Sequence, residues 1–136
     1  MVPISIAYQG ELRCVATHDN SGVQFITDAP TDNQGKGESF SPTDLVATAL
    51  GACMITTMGI AAQKDGVQLA GTAIAIEKHM SATPPRTIAK LVAKLEMTKG
   101  IPKAYRAKTE SIGHNCPVIK SLHPDVELDI QFHYPD

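Results

Sequence analysis

The chain has 136 residues, with 12 Lys plus Arg against 14 Asp plus Glu and a formal net charge of −2. A chain of this length buries about 68% of its unfolded surface, which excludes a multi-domain organisation and predicts a single domain over residues 1–136. There is no basic block and no Trp, with only three Phe and three Tyr; this argues against a nucleic-acid footprint and for an aliphatic core.

The opening Met1, Val2, Pro3, Ile4 and Ser5 carry neither a charged n-region nor a long apolar stretch. That start predicts a cytoplasmic protein whose thiols stay reduced. Three cysteines, Cys14, Cys53 and Cys116, are an odd count. In a reducing compartment they are core residues, catalytic thiols or metal ligands rather than structural disulfides.

Ile4, Ile6 and Tyr8 alternate with Ser5, Ala7 and Gln9, residues 12–17 continue extended, and Asn20-Ser21-Gly22 is a turn before a third run at 23–27. This predicts a hairpin or short meander. Residues 28–40 carry Pro and Gly breakers and no period, so they form a loop of a length that is often functional. Ser41-Pro42-Thr43-Asp44 then places a hydroxyl N-cap, a first-turn proline and a dipole-facing acid in order. The helix it opens runs to Ala62 without a charge after Asp44. Its Thr, Gly and Ala content makes it weakly suited to a bilayer, so a buried helix is expected, and one apolar on every face is more easily covered in an oligomer.

Residues 67–79 alternate and predict a strand. From Ile88 to Thr98 a helical stripe competes with strict alternation of Ala89, Leu91, Ala93, Leu95 and Met97; the flanking prolines and glycine favour a strand. Residues 103–112 predict a helix entered at Pro102 and terminated by Gly113, residues 117–122 a short helix, and residues 126–132 a last strand. The order describes an α+β domain with antiparallel pairing.

Cys53 lies three turns into the apolar helix, where a cysteine can be simply a small buried hydrophobe. Cys116 precedes Pro117 at a helix entrance, where free N–H groups and the dipole favour a thiolate, although a capping role competes. Cys14, between Arg13 and Val15, reads as core packing. His114, Cys116 and His123 do not reproduce zinc-site spacings, there is no Gly-x-Ser-x-Gly elbow, and Gly35-Lys36-Gly37 does not continue as a phosphate loop.

Ser41-Pro42-Thr43-Asp44-Leu45, Ala49-Leu50-Gly51-Ala52-Cys53 and, further on, Asn115-Cys116-Pro117-Val118 resemble the OsmC/Ohr family of thiol peroxidases across nearly the whole chain. The resemblance implies an OsmC-like α+β fold. It has N-terminal antiparallel strands, a long buried central helix, further antiparallel strands with a second helix, and an intertwined homodimer with sites at the subunit interface. It also implies reduction of organic hydroperoxides in oxidative stress defence, with Cys53 as peroxidatic and Cys116 as resolving thiol. An external dithiol would be the reductant, with no bound cofactor or metal and neither nucleic acid nor membrane as partner.

Cys53 is too deep in its helix to use that helix's dipole, so a cation is expected to lower its pKa. In the Ohr branch an arginine of the first hairpin does so, held by a first-turn glutamate, and Arg13 falls at that arginine's place. Thr43 stands where many members have Glu, and the acid is Asp44, turned ~100° around the helix. Asp44 either reaches Arg13 differently or only caps the helix. The departure resembles an OsmC-like side branch more than a true Ohr. It also keeps open a non-catalytic protein that binds a small apolar or thiol ligand at the dimer interface. A zinc-held structural module is a third reading, and His114 is a second candidate neighbour for Cys116.

Overall fold

The computed structural model describes residues 1–136. The chain comprises two compact units, Met1–Val46 and Ala47–Asp136. The reason lies in where apolar surface is buried. The continuous hydrophobic core is built wholly from residues of the second unit, whereas Ala16 is the buried apolar residue of the first.

In the first unit, strands β1 (Ile4–Gly10), β2 (Arg13–His18) and β3 (Gln24–Asp28) form the expected antiparallel meander. Leu12, expected at the start of the second strand, instead belongs to the β1–β2 turn. Glu11 and Leu12 have φ of 52° and 63°, the left-handed pair that suits the twist of a two-residue hairpin. Register places Ile6 opposite Ala16 and Ala16 opposite Phe25, so Ile4, Ile6, Tyr8, Ala16 and Phe25 share one face. The loop at 28–40 contains a 3₁₀ turn at Thr31–Asn33.

Helix α1 (Pro42–Lys64) starts where the capping signature places it. The Ser41 N–H donates to Asp44 Oδ2 at 2.8 Å and the Asp44 N–H to Ser41 Oγ at 3.1 Å, a reciprocal box that satisfies two otherwise orphaned donors. By length and composition α1 could cross a membrane. In the second unit it is the core helix: Leu50, Met54, Met58 and Ala62, spaced by four, are buried. Its Ala49, Ala52, Thr56 and Ile60 side is uncharged and exposed in the single chain.

Strands β4 (Ala73–Met80), β5 (Ile88–Glu96) and β6 (Glu127–His133) form the second sheet in that order. β4 starts six residues later than expected. Gly66 and Gly71 have φ of 70° and 96°, which breaks extension between them, and Leu69 enters the core from a turn. β5 resolves its ambiguous pattern as a strand. It is the central strand, so Leu91, Val92, Ala93 and Leu95 are all buried and strict alternation is blurred. β4 and β5 pair antiparallel as expected, but β5 and β6 run parallel. Helices α2 (Lys103–His114) and α3 (Pro117–Ser121) lie between them and supply the crossover that parallel strands require.

Gly113 does not terminate its helix as expected; it lies buried inside α2. A Cβ built there would lie 2.9 Å from Met58 Sδ and 3.5 Å from Met54 Cε, so the missing side chain is what lets α2 approach α1. Gly113→Val should therefore cost ~1–3 kcal/mol through overpacking, with Gly113→Ala less severe. Urea unfolding midpoints measure this; a wild-type midpoint for the valine variant contradicts the close approach.

Candidate functional site

Two elements of the second unit bring the expected thiols together. α1 carries Cys53, half-buried, on the same stretch as Met54 and Met58. Past Gly113 the chain leaves α2 at Asn115, whose N–H turns back to Gly113 and Ile112 carbonyls, and re-enters helix at α3. Cys116 is the N-cap of α3 with extended backbone, and Pro117 occupies the first turn, where its missing N–H costs nothing. Cys116 is fully buried. Both cysteines are free thiols.

The pair divides one proton unequally. Burial pushes the Cys53 thiol up. The Val118 N–H, the Thr57 hydroxyl and the Cys116 thiol all donate toward its sulfur, and together they bring it below the ordinary thiol range. Thr57 Oγ1 lies 3.8 Å from Cys53 Sγ, within reach of a bond to sulfur. Cys116 moves the other way: burial raises it, and its hydrogen bond to Cys53 holds its proton, outweighing the Ile119 and Val118 N–H groups that favour its ionised form. Hydrogen bonds to the charged form of one group and desolvation of the other separate two chemically identical thiols. Of the two, Cys53 is the thiol whose surroundings favour the ionised form and Cys116 the one whose surroundings favour the proton.

At Cys116 burial outweighs the helix-entrance N–H groups that favour a thiolate. The α3 entrance does supply N–H groups, but Val118 also donates to the sulfur of Cys53. The sequence points to a cation beside Cys53 and not to these neutral donors. The four-residue spacing from Cys53 to Thr57 was the available signal for one of them; the Val118 N–H left none, because it depends on how two distant segments pack.

Arg13 is not held by Asp44. Its Nε donates to Asp28 Oδ1 at 2.6 Å and Nη2 to Asp28 Oδ2 at 2.8 Å, and Glu38 lies 3.8 Å from Nη2. Asp28, 2% exposed on its side chain, stands opposite Arg13 in the β2–β3 register. The Arg13 side-chain hydrogen bonds hold the Asp28 carboxyl below its usual range. Asp44 caps α1. Cys14 is half-buried in β2 opposite Tyr8 and Thr27. The His114 ring packs against Phe132, with centroids 5.7 Å apart. No group of three or more His, Cys, Asp or Glu side chains comes together that could hold a metal ion.

A family model described as OsmC-like protein matches residues 35–131. The chain belongs to the OsmC-like family. Among solved structures, this OsmC-like chain is 40% identical to an osmotic stress induced and detoxification response protein from Psychrobacter arcticus. That match covers 98% of this chain and 96% of the other at a TM-score of 0.92. The fold is also similar to the organic hydroperoxide resistance protein OsmC of Legionella pneumophila, with 16% identity, 97% and 96% coverage and a TM-score of 0.76. An organic hydroperoxide resistance protein of Elizabethkingia anophelis matches at 12% identity, 98% and 96% coverage and a TM-score of 0.77. Comparison with curated proteins gives no match.

The opposed acidities predict ordered labelling. Iodoacetamide at near-neutral pH should modify Cys53 well before Cys116, with a rate midpoint for Cys53 below the ordinary thiol value of 9.0. Mass spectrometry of the labelled peptides measures both; preferential labelling of Cys116 would reverse the assignment of the two thiols.

Proposed function

We propose that this OsmC-like protein is a thiol-dependent peroxidase that reduces organic hydroperoxides in oxidative stress defence. The observation that carries the reading is the contact between two thiols of opposed acidity, Cys53 down and Cys116 up. The names of the structurally similar Legionella and Elizabethkingia proteins are consistent with it.

The Cys53 thiolate attacks the terminal oxygen of the hydroperoxide. The O–O bond breaks, the alkoxide takes a proton and leaves as the alcohol, and Cys53 is oxidised to the sulfenic acid. The Cys116 sulfur then attacks the Cys53 sulfur; its proton and the sulfenic hydroxyl leave as water, and a Cys53–Cys116 disulfide forms. An external dithiol returns both to thiols by exchange and is itself oxidised to its disulfide. Burial of Cys116 keeps it protonated until Cys53 has been oxidised, which suits a resolving role.

In this reading the resemblance assigns the cation's role to Arg13. The carboxylate that orients its guanidinium is Asp28, while Asp44 serves the N-terminus of α1. The working unit is a homodimer. Ile4, Ile6 and Tyr8, between 62% and 68% exposed, form with Phe25 an apolar sheet face of the kind that a second chain covers. The uncharged open side of α1 argues the same way. A dithiol as reductant goes with a reducing compartment such as the cytoplasm.

With an organic hydroperoxide and dithiothreitol, Cys53→Ser should lose turnover by on the order of 10³-fold or more. Cys116→Ser should accumulate a dimedone-reactive sulfenic acid at Cys53. One equivalent of hydroperoxide should give the wild type an intramolecular Cys53–Cys116 disulfide. Full activity of Cys53→Ser removes the assignment, and absence of the disulfide favours the non-catalytic, ligand-binding alternative. Sedimentation at twice the 14.5 kDa chain mass tests the dimer.

A further inference from the structure

We propose that Thr57 is a positioning residue for the reactive thiol: its hydroxyl donates to the Cys53 sulfur from one helical turn away, holding the sulfur in place and favouring its ionised form. The inference rests on the reading of Cys53 as the reacting thiol.

Residues four apart on a helix share a face, and helical side chains lean toward the N-terminus. The Thr57 side chain accordingly lies over the turn that carries Cys53, with Oγ1 3.8 Å from Sγ. A mid-helix threonine usually turns its hydroxyl to the carbonyl four residues back, here that of Cys53 itself. In this chain the hydroxyl's hydrogen-bond partner is the sulfur instead. A thiolate has no proton to give, so once Cys53 ionises the hydroxyl can only be the donor.

The other donors come from a different element. Val118 offers its backbone N–H from α3, and Cys116, the titratable group facing Cys53 in the second unit, offers its thiol from the α3 N-cap. Thr57 is the one donor carried by the helix of Cys53 itself. It is also distinct from Cys116, which the proposed cycle consumes: when Cys116 joins the disulfide its donor is lost, while the hydroxyl remains to stabilise Cys53 as a leaving thiolate during reduction.

The test is the pH dependence of Cys53 alkylation by iodoacetamide, localised by mass spectrometry, in the wild type, Thr57→Val, Thr57→Ala and Thr57→Ser. Valine keeps the shape and removes the hydroxyl, alanine is a good helix former if valine folds poorly, and serine restores the donor. The expected result is a midpoint higher by about 0.5–1 pH unit in the valine and alanine variants, a labelling rate about 3–10-fold lower at pH 7, and recovery in serine. A wild-type midpoint in valine and alanine overturns the proposal, as does an equal shift in all three variants, which would mean that packing and not the hydroxyl is responsible. Alkylation needs no peroxide. Failure of the wild type to consume hydroperoxide therefore counts against the peroxidase reading alone, while the midpoints still decide the role of Thr57.

Discussion

The close approach of α2 to α1 at Gly113 is the constraint on which the thiol pair depends. Met54 and Met58, which lie against that glycine, follow Cys53 by one and five positions along α1. A side chain at position 113 would meet the ends of the Met54 and Met58 side chains, which would have to give way, and the chain reaches Cys116 only three residues later. A cysteine sixty-three positions further on is thereby brought into hydrogen-bonding contact with Cys53. The short α3 follows from the same placement, since Cys116 is its N-cap and Val118 presents its N–H to the Cys53 sulfur.

The electrostatics of the pair come from unequal surroundings rather than different chemistry. Both sulfurs are partly or wholly removed from water, and desolvation alone would raise both. Cys53 escapes that because three neutral donors converge on it, whereas Cys116 is fully enclosed and spends its proton on its partner. Neutral donors fixed by backbone and helix geometry need no reorganisation when the charge forms, which is how a preorganised site stabilises an anion. The first unit handles its charges in another way. Arg13 and Asp28 satisfy each other across the β2–β3 ladder in a bidentate pair, the geometry in which an arginine–carboxylate contact is strongest. Asp44 and Ser41 close a local box at the start of α1.

Local signals in this chain read well and long-range ones did not. The N-terminal meander, the start of α1, α3 and the strand at β5 follow from alternation, capping residues and breakers, each of which acts within a few residues. Errors arose where a residue had two uses. Gly113 looks like a helix terminator and is a packing contact; Leu12 looks like a strand residue and is in a left-handed turn; Gly71 interrupts an alternation that otherwise continues. The parallel β5–β6 pairing could not be read from either strand, because strand direction is set by the crossover between them.

The sequence by itself determined the family, the α+β class, the two candidate thiols and the N-terminus of α1, since motif spacing, hydrophobic period and capping chemistry are all properties of neighbouring residues along the chain. Only the tertiary structure decided which donors surround each thiol, which carboxylate holds Arg13 and which hydroxyl faces Cys53. Acidity depends on burial and on donors brought from distant segments, and those distances do not exist until α2 has packed against α1.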